Sequence, residues 1–422
     1  MPAAAEPEAP AAPHVDASRA RAGVVVMKFG EGAVVDVDGI RGVALRLAAA
    51  HEAGHGVVGV LAAMASTTSE LVALARQVSP NPSERELDML VSVGERASCA
   101  LAAMALVDLG YDAVSLTGSQ AGIVTDTAHG SARIVEVRAR RVREALDRGA
   151  IVLVAGLQGV STDSEVTTLG RGGSEATAVA LAAALAAEAC EILGTAGGVY
   201  SADARLIPGA RKLTTLSHDE LLEIASYGGA AVPLRSVEFA RNHAVPLHLR
   251  SSSTDDEGTW VVTEEDGRLL ERAIISGVTH TVDETVYRVE GGVPAAGLFT
   301  ALADAAVNVD TILQTGDGLV FSASTQDGDS TESVLDRLGA NWSADPDLGQ
   351  VSVVGAGMKS HPGVAATAFA TLEEHGIEPV IVTTSPIRIS CHVRRDAVET
   401  AVRALHEAFG LTDIEPEEPS DG

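Results

Sequence analysis

A lysine and a glycine-containing turn follow the first apolar run of the chain, in the stretch MKFGEGAV from Met27 to Val34. A strand that ends in Lys28 and small residues can direct backbone N–H groups and one fixed positive charge at a phosphate. An ordinary turn between a strand and a helix explains the same letters, and the carboxylate of Glu31 would oppose an anion there. The stretch alone leaves both interpretations open.

A second glycine-rich stretch, TTLGRGGSEATAVALAAAL from Thr167 to Leu185, leads into a long run of alanine and leucine. Its glycines allow the backbone to approach a ligand, and Ser174 is the predicted N-cap of a helix. The N-terminus of that helix attracts an anion, and Arg171 adds a planar donor for a carboxylate or phosphate. The alternative is a surface loop before a core helix. The apolar run from Ala176 to Cys190 is too short to span a bilayer and is predicted to be a buried helix.

Three further stretches carry candidate groups. GGVYSADARLIPGARKL, from Gly197 to Leu213, combines a glycine turn, an aromatic ring and cations, and could hold a nucleotide or form a solvated loop. Glu95 begins an apolar helix, where it could cap the helix or bind an amine. HEAGH, from His51 to His55, has the HExxH spacing of a zinc helix. Because the glycines at 54 and 56 end the helix at the second histidine, we predict no metal site there.

The bulk composition limits the partners of the chain. Its 422 residues include 30 Lys and Arg against 58 Asp and Glu, which gives a formal net charge of −28. Such a charge repels nucleic acid and anionic lipid, so we expect neither nucleic acid nor a membrane as a partner. The three cysteines, Cys99, Cys190 and Cys391, are far apart and form no CxxC pair. They are expected to be buried thiols in a reduced cytoplasm.

The order of elements predicts an α/β fold with smaller modules behind it. Apolar runs alternate with helical stretches from residue 23 to about residue 253, which indicates a mainly parallel sheet with helices on both faces. The stretch SSSTDDEGT marks a linker. After it, LFTALADAAVNVDTILQT and AFATLEEHGIEPVIVTTS repeat with an offset of 70 residues, which predicts two copies of a four-stranded sheet with helices on one face. Residues 1–22 are predicted to be a disordered Ala/Pro-rich tail.

In this order, the stretches resemble aspartate kinases (aspartokinases) of the amino acid kinase family, in the form common in actinobacteria. The resemblance covers nearly all of residues 24–411 and is carried by VGERAS, GSQAGIVTD, HGSARI, TTLGRGGSEATAVALAAAL, VYSADARLIPGARKL, LRSVEFARNHAVPLHLRSS, VGAGMKSHPGV and ALHEAFGL. It implies an amino acid kinase fold followed by two ferredoxin-like ACT domains. The implied ranges are 23–252 for the kinase domain, 253–270 for a linker, 271–345 and 346–413 for the ACT domains, and 414–422 for an acidic tail.

The resemblance also implies a reaction, the transfer of the γ-phosphoryl group of ATP, with Mg²⁺, to the β-carboxylate of L-aspartate. This is the first step toward lysine, threonine and methionine. Lys28 and Arg171 are the implied catalytic residues, with Lys28 stabilising charge on the transferred group. The implied aspartate contacts are Thr67, Glu95, Arg171, Ser174 and Glu175. The implied ATP contacts are Lys28, Phe29, Gly30, Glu31, Gly194, Thr195, Tyr200 and Arg205.

Departures from the family pattern fall in these same turns. The family's KFGGTS reads KFGEGA, so Glu31 replaces a glycine, and a carboxylate about 4 Å from a triphosphate costs on the order of 1–4 kcal/mol. The Asp of GRGGSD is Glu175, which keeps the charge and adds a methylene group. The family's TDVDGVYTADPR reads GTAGGVYSADAR, so two acids are missing near Gly194 and Thr195. These departures predict weakened or altered catalysis.

The ACT domains imply effector binding and assembly. The implied effector contacts, for lysine or threonine or both, are Asp310, Gln314, Met358 and Ser385. A homo-oligomer, or assembly with another aspartate kinase subunit, is expected. Two alternatives to an aspartate kinase stay open, namely a catalytically silent regulatory paralogue and a kinase for a different amino-acid carboxylate. Retention of Lys28, Glu95, Arg171 and Ser174 favours an active kinase, whereas the missing acids favour the silent paralogue.

Overall fold

The computed structural model describes residues 23–228, 232–263, 275–316, 318–356, 358, 361 and 363–412. The predicted tails, 1–22 and 414–422, lie outside these ranges, as does part of the predicted linker. Two compact units divide the chain, one comprising residues up to 198 together with 232–263, the other comprising residues 199–231 and those from 264 onward. The kinase domain predicted for 23–252 therefore includes a segment, residues 199–231, that belongs to the second unit. The reason is burial, because Ala202, Ile207 and Ala210 share a hydrophobic cluster with Val353 and Leu405 of that unit.

The elements are given in chain order. Those of residues 23–263 are β1 (Val24–Phe29), α1 (Val37–Glu52), β2 (Gly56–Leu61), α2 (Thr67–Val78), α3 (Glu84–Val91), α4 (Val93–Asp108), β3 (Ala113–Leu116), α5 (Gly118–Ala121), β4 (Ile123–Thr125), β5 (Ile134–Val137), α6 (Arg140–Asp147), β6 (Ile151–Ala155), β7 (Gln158–Ser161), β8 (Val166–Thr168), α7 (Gly173–Leu185), β9 (Ala189–Gly194), β10 (Val199–Tyr200), β11 (Lys212–Leu213), β12 (Thr215–Ser217), α8 (His218–Ser226), α9 (Leu234–Asn242), β13 (Leu247–Ser251) and β14 (Thr259–Val262). Those of residues 275–412 are β15 (Gly277–Thr281), β16 (Glu284–Glu290), α10 (Ala295–Asp304), β17 (Val309–Thr315), β18 (Gly318–Ser324), α11 (Gly328–Arg337), β19 (Trp342–Asp345), β20 (Leu348–Val354), α12 (Val364–Glu374), β21 (Ile381–Ser385), β22 (Arg388–Arg394) and α13 (Val398–Ala408).

The first unit is built on a mainly parallel sheet, as predicted. Seven of its strands lie side by side in the order β14-β13-β9-β1-β2-β6-β3. All neighbours in this series are parallel except β13 and β14. The central strands VVVMKF, GVVGVL and IVLVA are almost continuously apolar because both faces of a parallel sheet are covered. A smaller sheet follows the order β5-β4-β7-β8.

The predicted linker, residues 253–270, is wrong in one part. Strand β14 falls within it and pairs antiparallel with β13. Its sequence TWVV has the aromatic and β-branched residues typical of a strand, and Val261 and Val262 are fully buried. The serine- and acid-rich stretch before it is therefore only the turn between two strands.

The predicted helix from Ala176 to Cys190 is too long at its C-terminal end, and its predicted cap is wrong. Helix α7 ends at Leu185, where Ala186 adopts a left-handed conformation with φ of 51°. The next residues form β9 because they pair with β1, and Cys190 lies in that strand opposite Val26. The N-cap is Gly172 at φ of 75°, so Ser174 lies inside the first turn. All three cysteines are buried and free, as predicted.

Within the described residues, one helical stretch, Glu84–Asp108, is apolar and long enough to cross a membrane by length and composition alone. It is interrupted at Ser92, which separates α3 from α4. Cys99, Ala102 and Leu106 of α4 belong to the hydrophobic core beneath the large sheet. Packing against the sheet explains the apolar character of this stretch.

The second unit contains two four-stranded antiparallel sheets, with orders β19-β16-β18-β17 and β15-β20-β22-β21. Both repeats, the helix and strand of residues 298–315 and those of 368–385, appear at the predicted positions. The predicted boundaries 271–345 and 346–413 do not follow the sheets, however. Strand β15 precedes the first module but pairs with β20 of the second. The first module is therefore inserted between the strands of the second.

Candidate active site

Several of the predicted site residues lie at the carboxyl ends of neighbouring parallel strands of the first unit. The loops after β1, β2, β6 and β9 begin at this edge, which is where open α/β sheets bind their ligands. Backbone hydrogen bonds tie the strand ends together, since the N–H of Ala62 donates to the carbonyl of Phe29 at 3.1 Å and the N–H of Gly30 donates to Leu193 at 3.3 Å. The N–H of Gly156 donates to Leu61 at 3.1 Å in the same way. The turns that carry the candidate residues are thus fixed relative to one another.

Lys28 lies near the end of the central strand β1 and is almost fully buried. Its Nζ is 2.6 Å from Oε1 of Glu175, with side chains that are 8% and 15% exposed. A methyl group on Gly30 would lie 3.2 Å from that Nζ, so glycine leaves room for the ammonium group to turn back over the strand end. The fold therefore brings together two predicted site residues that are 147 positions apart in the sequence.

The turn after Lys28 is a 3-10 turn, Glu31–Ala33, with Glu31 exposed to solvent. A Cβ on Gly32 would lie 3.0 Å from Cγ2 of Thr195, so the turn lies against the end of β9, at the predicted ATP contacts Gly194 and Thr195. Phe29 behaves differently, because its side chain is in the hydrophobic core and 1% exposed. Phe29 therefore offers a ligand only its backbone.

Glu95 is buried at the start of α4, with 2% of its surface exposed. Burial first, and then the negative charge of Glu31, raise the pKa of Glu95 from 4.5 to about 7 against the opposing effect of two backbone hydrogen bonds. Its Oε2 has no hydrogen-bond partner within the described residues. A buried, unpartnered carboxylate of this kind suits a ligand ammonium group.

Thr67 begins α2 next to the first turn of α4, which carries Glu95. A Cβ on Gly94 would be 3.5 Å from Cγ2 of Thr67, which shows how closely the loop after β2 approaches α4. On its other side α2 faces Glu31 across a groove of about 420 Å³ that Val72 and Arg76 also line. Glu31 thus lies on a groove beside α2, the helix that begins at Thr67.

We expect Ala65→Gly to stabilise the protein by about 1 kcal/mol, because Ala65 adopts a left-handed φ of 36° that an alanine side chain disfavours. Ala65 is exposed, so no packing is lost. The measurement is the free energy of unfolding in denaturant. Ala73→Gly, at an exposed position within α2, is the matched control and is expected to lower stability by about 1 kcal/mol. A loss of stability in both variants would contradict the prediction.

The GRGGSE stretch supplies the remaining predicted substrate contacts. Arg171 is exposed in the loop before α7, and no hydrogen bond or ion pair engages its guanidinium among the residues that the structure describes. Ser174 is 9% exposed, and a Cβ on Gly156 would lie 2.7 Å from its Oγ. Gly156 was not singled out from the sequence, although a glycine directly after the buried strand AIVLVA is a usable signal for such a close approach.

Tyr200 and Arg205, two predicted ATP contacts, lie in the second unit. They line a cavity of about 240 Å³ together with Tyr227 and His280. Arg205 is paired with Asp203 at 2.7 Å through a guanidinium that is 90% exposed, and this pair lowers the pKa of Asp203. The cavity offers an aromatic wall and an exposed cation.

The four predicted effector contacts fall into two groups. Asp310 and Gln314 lie on β17 of the first module and are exposed, whereas Met358 and Ser385 belong to the second module. Oδ2 of Asp310 accepts a hydrogen bond of 3.0 Å from the hydroxyl of Tyr227. Met358 packs against the core of the second module, and Oγ of Ser385 accepts a hydrogen bond from the N–H of Ile387 at 3.3 Å.

The two histidines of HEAGH face different neighbours. Helix α1 ends at Glu52, so only His51 is helical. The ring of His51 meets Tyr111 edge-on at 5.9 Å between centroids, whereas Nδ1 of His55 lies 3.4 Å from Glu188. The HExxH spacing therefore does not produce two ligands on one helix face.

A buried lysine and a glycine turn lie at one edge of a parallel sheet, a buried carboxylate suited to an ammonium group begins a nearby helix, and an exposed arginine precedes the helix that carries Ser174 and Glu175. These side chains offer little covalent chemistry of their own. They can position a phosphoryl group that is being transferred and stabilise its charge electrostatically. The fold and the site define a small-molecule kinase of the α/β type, followed by a pair of ferredoxin-like modules.

Comparison with known proteins agrees with this class. The model of the amino acid kinase family matches residues 23–251, and that of the ACT domain matches residues 351–409. The chain is 48% identical to the aspartokinase of Mycolicibacterium smegmatis and 47% identical to that of Corynebacterium glutamicum, in each case over 92% of this chain and 96% of the relative. It also superposes on Escherichia coli aspartokinase III, solved with aspartate and ADP, with a TM-score of 0.77 at 22% identity, over 91% of this chain and 99% of that one. The chain belongs to the amino acid kinase family and, within it, to the aspartokinases.

This membership decides between the functions that the sequence left open. The protein is an ATP-dependent aspartate kinase, and identity of this extent and coverage does not support the silent paralogue or the kinase for another carboxylate.

Proposed function

We propose that the strand-end site binds ATP and aspartate side by side and that Lys28 stabilises the phosphoryl group in transit. An oxygen of the aspartate β-carboxylate attacks the γ-phosphorus, the bond from that phosphorus to the bridging oxygen of ADP breaks, and 4-phospho-L-aspartate and ADP result. The supporting observation is the position of Lys28, a buried cation at the end of β1 within 2.6 Å of Glu175 on α7. A fixed positive charge there lowers the energy of the charged transition state.

The acceptor is held by groups of complementary charge. Arg171, exposed and uncommitted among the described residues, binds the α-carboxylate of aspartate with its planar donor fork. Glu95 and Glu175 receive the ammonium group, and Thr67 and Ser174 donate hydroxyl hydrogen bonds. A ligand with one ammonium and two carboxylates satisfies the unpartnered Oε2 of Glu95 and the exposed guanidinium together.

ATP is assigned to the turn after β1 and the end of β9, whereas Tyr200 and Arg205, the further ATP contacts that the resemblance implies, line a cavity of the second unit. Mg²⁺, when bound with ATP, neutralises charge on the phosphates. No group of three or more His, Cys, Asp or Glu side chains that could hold a metal occurs in the described ranges. This donor set fits an ion held chiefly by phosphate oxygens, as is usual for Mg²⁺, with the exposed carboxylate of Glu31 as its protein ligand.

The ACT modules bind effector amino acids, lysine or threonine, through Asp310, Gln314, Met358 and Ser385, and they join subunits into a homo-oligomer or a mixed assembly with another aspartate kinase. The family's ACT fold and the exposure of Asp310 and Gln314 support this assignment. Three free, buried cysteines support a cytoplasmic location.

We expect Arg171→Ala to raise the KM for aspartate about 100-fold while changing the KM for ATP less than threefold, because a lost charged hydrogen bond costs about 2–3 kcal/mol. The assay follows ADP release and hydroxamate formation across aspartate, glutamate and related acids. The matched control is Arg41→Ala, which removes an exposed guanidinium on α1. Equal turnover on glutamate and aspartate, or an unchanged KM for aspartate in Arg171→Ala, would contradict the assignment.

A further inference from the structure

The loop that carries Arg171 has a backbone that needs external support. Residues 169–172 connect β8 to α7, and Gly170 and Gly172 both adopt left-handed conformations, with φ of 72° and 75°. Glycines at such positions allow the turn but do little to hold it, because they restrict the backbone less than any other residue. Contacts from elsewhere in the first unit must therefore determine where the guanidinium of Arg171 lies.

Arg235, the second residue of α9, supplies one such contact. Its Nη1 donates to the carbonyl of Leu169 at 3.1 Å and its Nη2 donates to the carbonyl of Ala132 at 2.9 Å. One planar guanidinium thus ties the first residue of the loop to a separate segment of the chain, a geometry that a lysine ammonium does not reproduce. Pro233 adds a steric stop, since a Cβ on Gly172 would lie 2.5 Å from its Cγ.

Asp88 on α3 supports the loop from a second direction. This carboxylate is 1% exposed, and its Oδ1 accepts a hydrogen bond from the hydroxyl of Thr168, the residue just before the loop. Both of its oxygens lie 3.1 Å from the N–H of Gly130, and Nδ1 of His129 is 2.7 Å from Oδ2. The carbonyl of Gly130 in turn lies beneath the loop, because a Cβ on Gly170 would be 3.0 Å from it.

We propose that Asp88 and Arg235 are positioning residues that determine the affinity for the acceptor amino acid by holding the Arg171 loop from two sides. Their hydrogen bonds are made to the backbone and to Thr168, on the segments that enter and support the loop. The proposal rests on the substrate role assigned to Arg171 above. A displacement of about 1 Å in a binding group can cost up to 100-fold in efficiency, so supports of this kind affect binding without touching the substrate.

The test measures kcat and both KM values for Arg235→Lys and Thr168→Val. Arg235→Lys breaks the bridge between the carbonyls of Leu169 and Ala132. Thr168→Val leaves the side-chain volume nearly unchanged but removes the hydroxyl that donates a hydrogen bond to Asp88. Each is expected to raise the KM for aspartate about tenfold or more, with kcat and the KM for ATP within threefold of the parent. Thr168→Ser restores the hydroxyl and is expected to return the KM to near the parent value. The matched control is Arg46→Lys, because Arg46 bridges the carbonyls of Ser251 and Thr254 in the same manner away from the loop.

A double-variant cycle separates this proposal from the role of Arg171 itself. If Arg235 acts through Arg171, adding Arg235→Lys to Arg171→Ala will produce no further rise in the KM for aspartate. An equal rise in both backgrounds, or failure of Thr168→Ser to restore the parent KM, would overturn the positioning role while leaving the role of Arg171 intact. An unchanged KM in Arg171→Ala alone would instead reject the substrate assignment. Parent-like circular dichroism and melting temperature establish that each variant is folded.

Discussion

Replacement of Lys28 by alanine is expected to lower kcat by about 10³-fold or more, the largest effect of any single change in this protein. Lys28 is 8% exposed and lies at the end of the central strand, so no other cation replaces it easily. The substitution also leaves Glu175 without its partner beside the bound triphosphate, and we expect the KM for ATP to rise as well. Steady-state ADP release with saturating aspartate measures both effects.

The double variant Lys28→Ala/Glu175→Gln separates the two contributions. If the loss came only from an unpaired carboxylate, removal of that charge would restore most of the activity. If Lys28 stabilises the transferred phosphoryl group, the double variant stays as inactive as Lys28→Ala. Arg41→Ala serves as the control for the loss of a positive charge, since that side chain is 67% exposed and is paired with Asp38 on the surface of α1. Near-parent turnover in Lys28→Ala would refute the catalytic assignment.

Substitution of Glu95 by glutamine is expected to stabilise the protein above pH 7 and to impair binding of aspartate. Burial raises the pKa of Glu95 from 4.5 to about 7, so the folded protein holds this proton more tightly than the unfolded chain does. The contribution of Glu95 to the free energy of unfolding is therefore highest below about pH 4.5 and declines as the pH rises from there through 7. At pH 8 the charged carboxylate costs on the order of 3 kcal/mol, which Glu95→Gln removes. Urea unfolding at pH 5.5 and pH 8 measures the difference.

The same carboxylate must be ionised to bind the ammonium group of aspartate. We therefore expect the KM for aspartate to fall as the pH rises from 6 to 8 in the parent, and to stay high, by about 100-fold at pH 8, in Glu95→Gln. Glu31→Gln removes the neighbouring charge that raises this pKa further, so its KM profile is expected to shift to lower pH. Glu144→Gln on the exposed side of α6 is the matched control. A parent profile that is flat in pH, or a less stable Glu95→Gln at pH 8, would contradict the prediction.

The substitution at position 31 gains a physical role from the structure. The sequence alone presents Glu31 as a carboxylate in a phosphate-binding turn. In the fold it is exposed and lines the groove beneath α2, and its charge acts on Glu95. The charge of Glu31 thus raises the pKa of Glu95, the residue proposed to bind the ammonium group of aspartate.

The side chain at position 175 has a partner that is distant in the sequence. Glu175 reaches Lys28 at 2.6 Å across the strand edge. This contact joins the first turn of α7 to the end of β1. No property of the GRGGSE stretch alone indicates this pairing, because the partner is 147 residues away.

Several features of this protein were determined by local sequence. The apolar runs GVVVM and AIVLVAG predict strands that are buried in a parallel sheet, and the repeat with an offset of 70 residues predicts two modules of the same kind. The order of the short motifs also identified the family. Each motif lies at a turn whose backbone conformation requires particular residue types, so the motif can be recognised from the local sequence. Local patterns of this kind are readable from the sequence because helix and strand periodicity depend on near neighbours.

Other features were decided only by tertiary structure. The local sequence predicts a linker at β14 and a helix that reaches Cys190, but pairing with β13 and with β1 overrides what each segment suggests alone. The insertion of one ACT module into the other depends on the pairing of β15 with β20, which are separated by a whole module. The contacts by which Asp88 and Arg235 hold the Arg171 loop, and the pair of Lys28 and Glu175, also join segments that are far apart in the sequence. Burial and long-range hydrogen bonding select these contacts from many that the sequence permits, so only the folded chain reveals them.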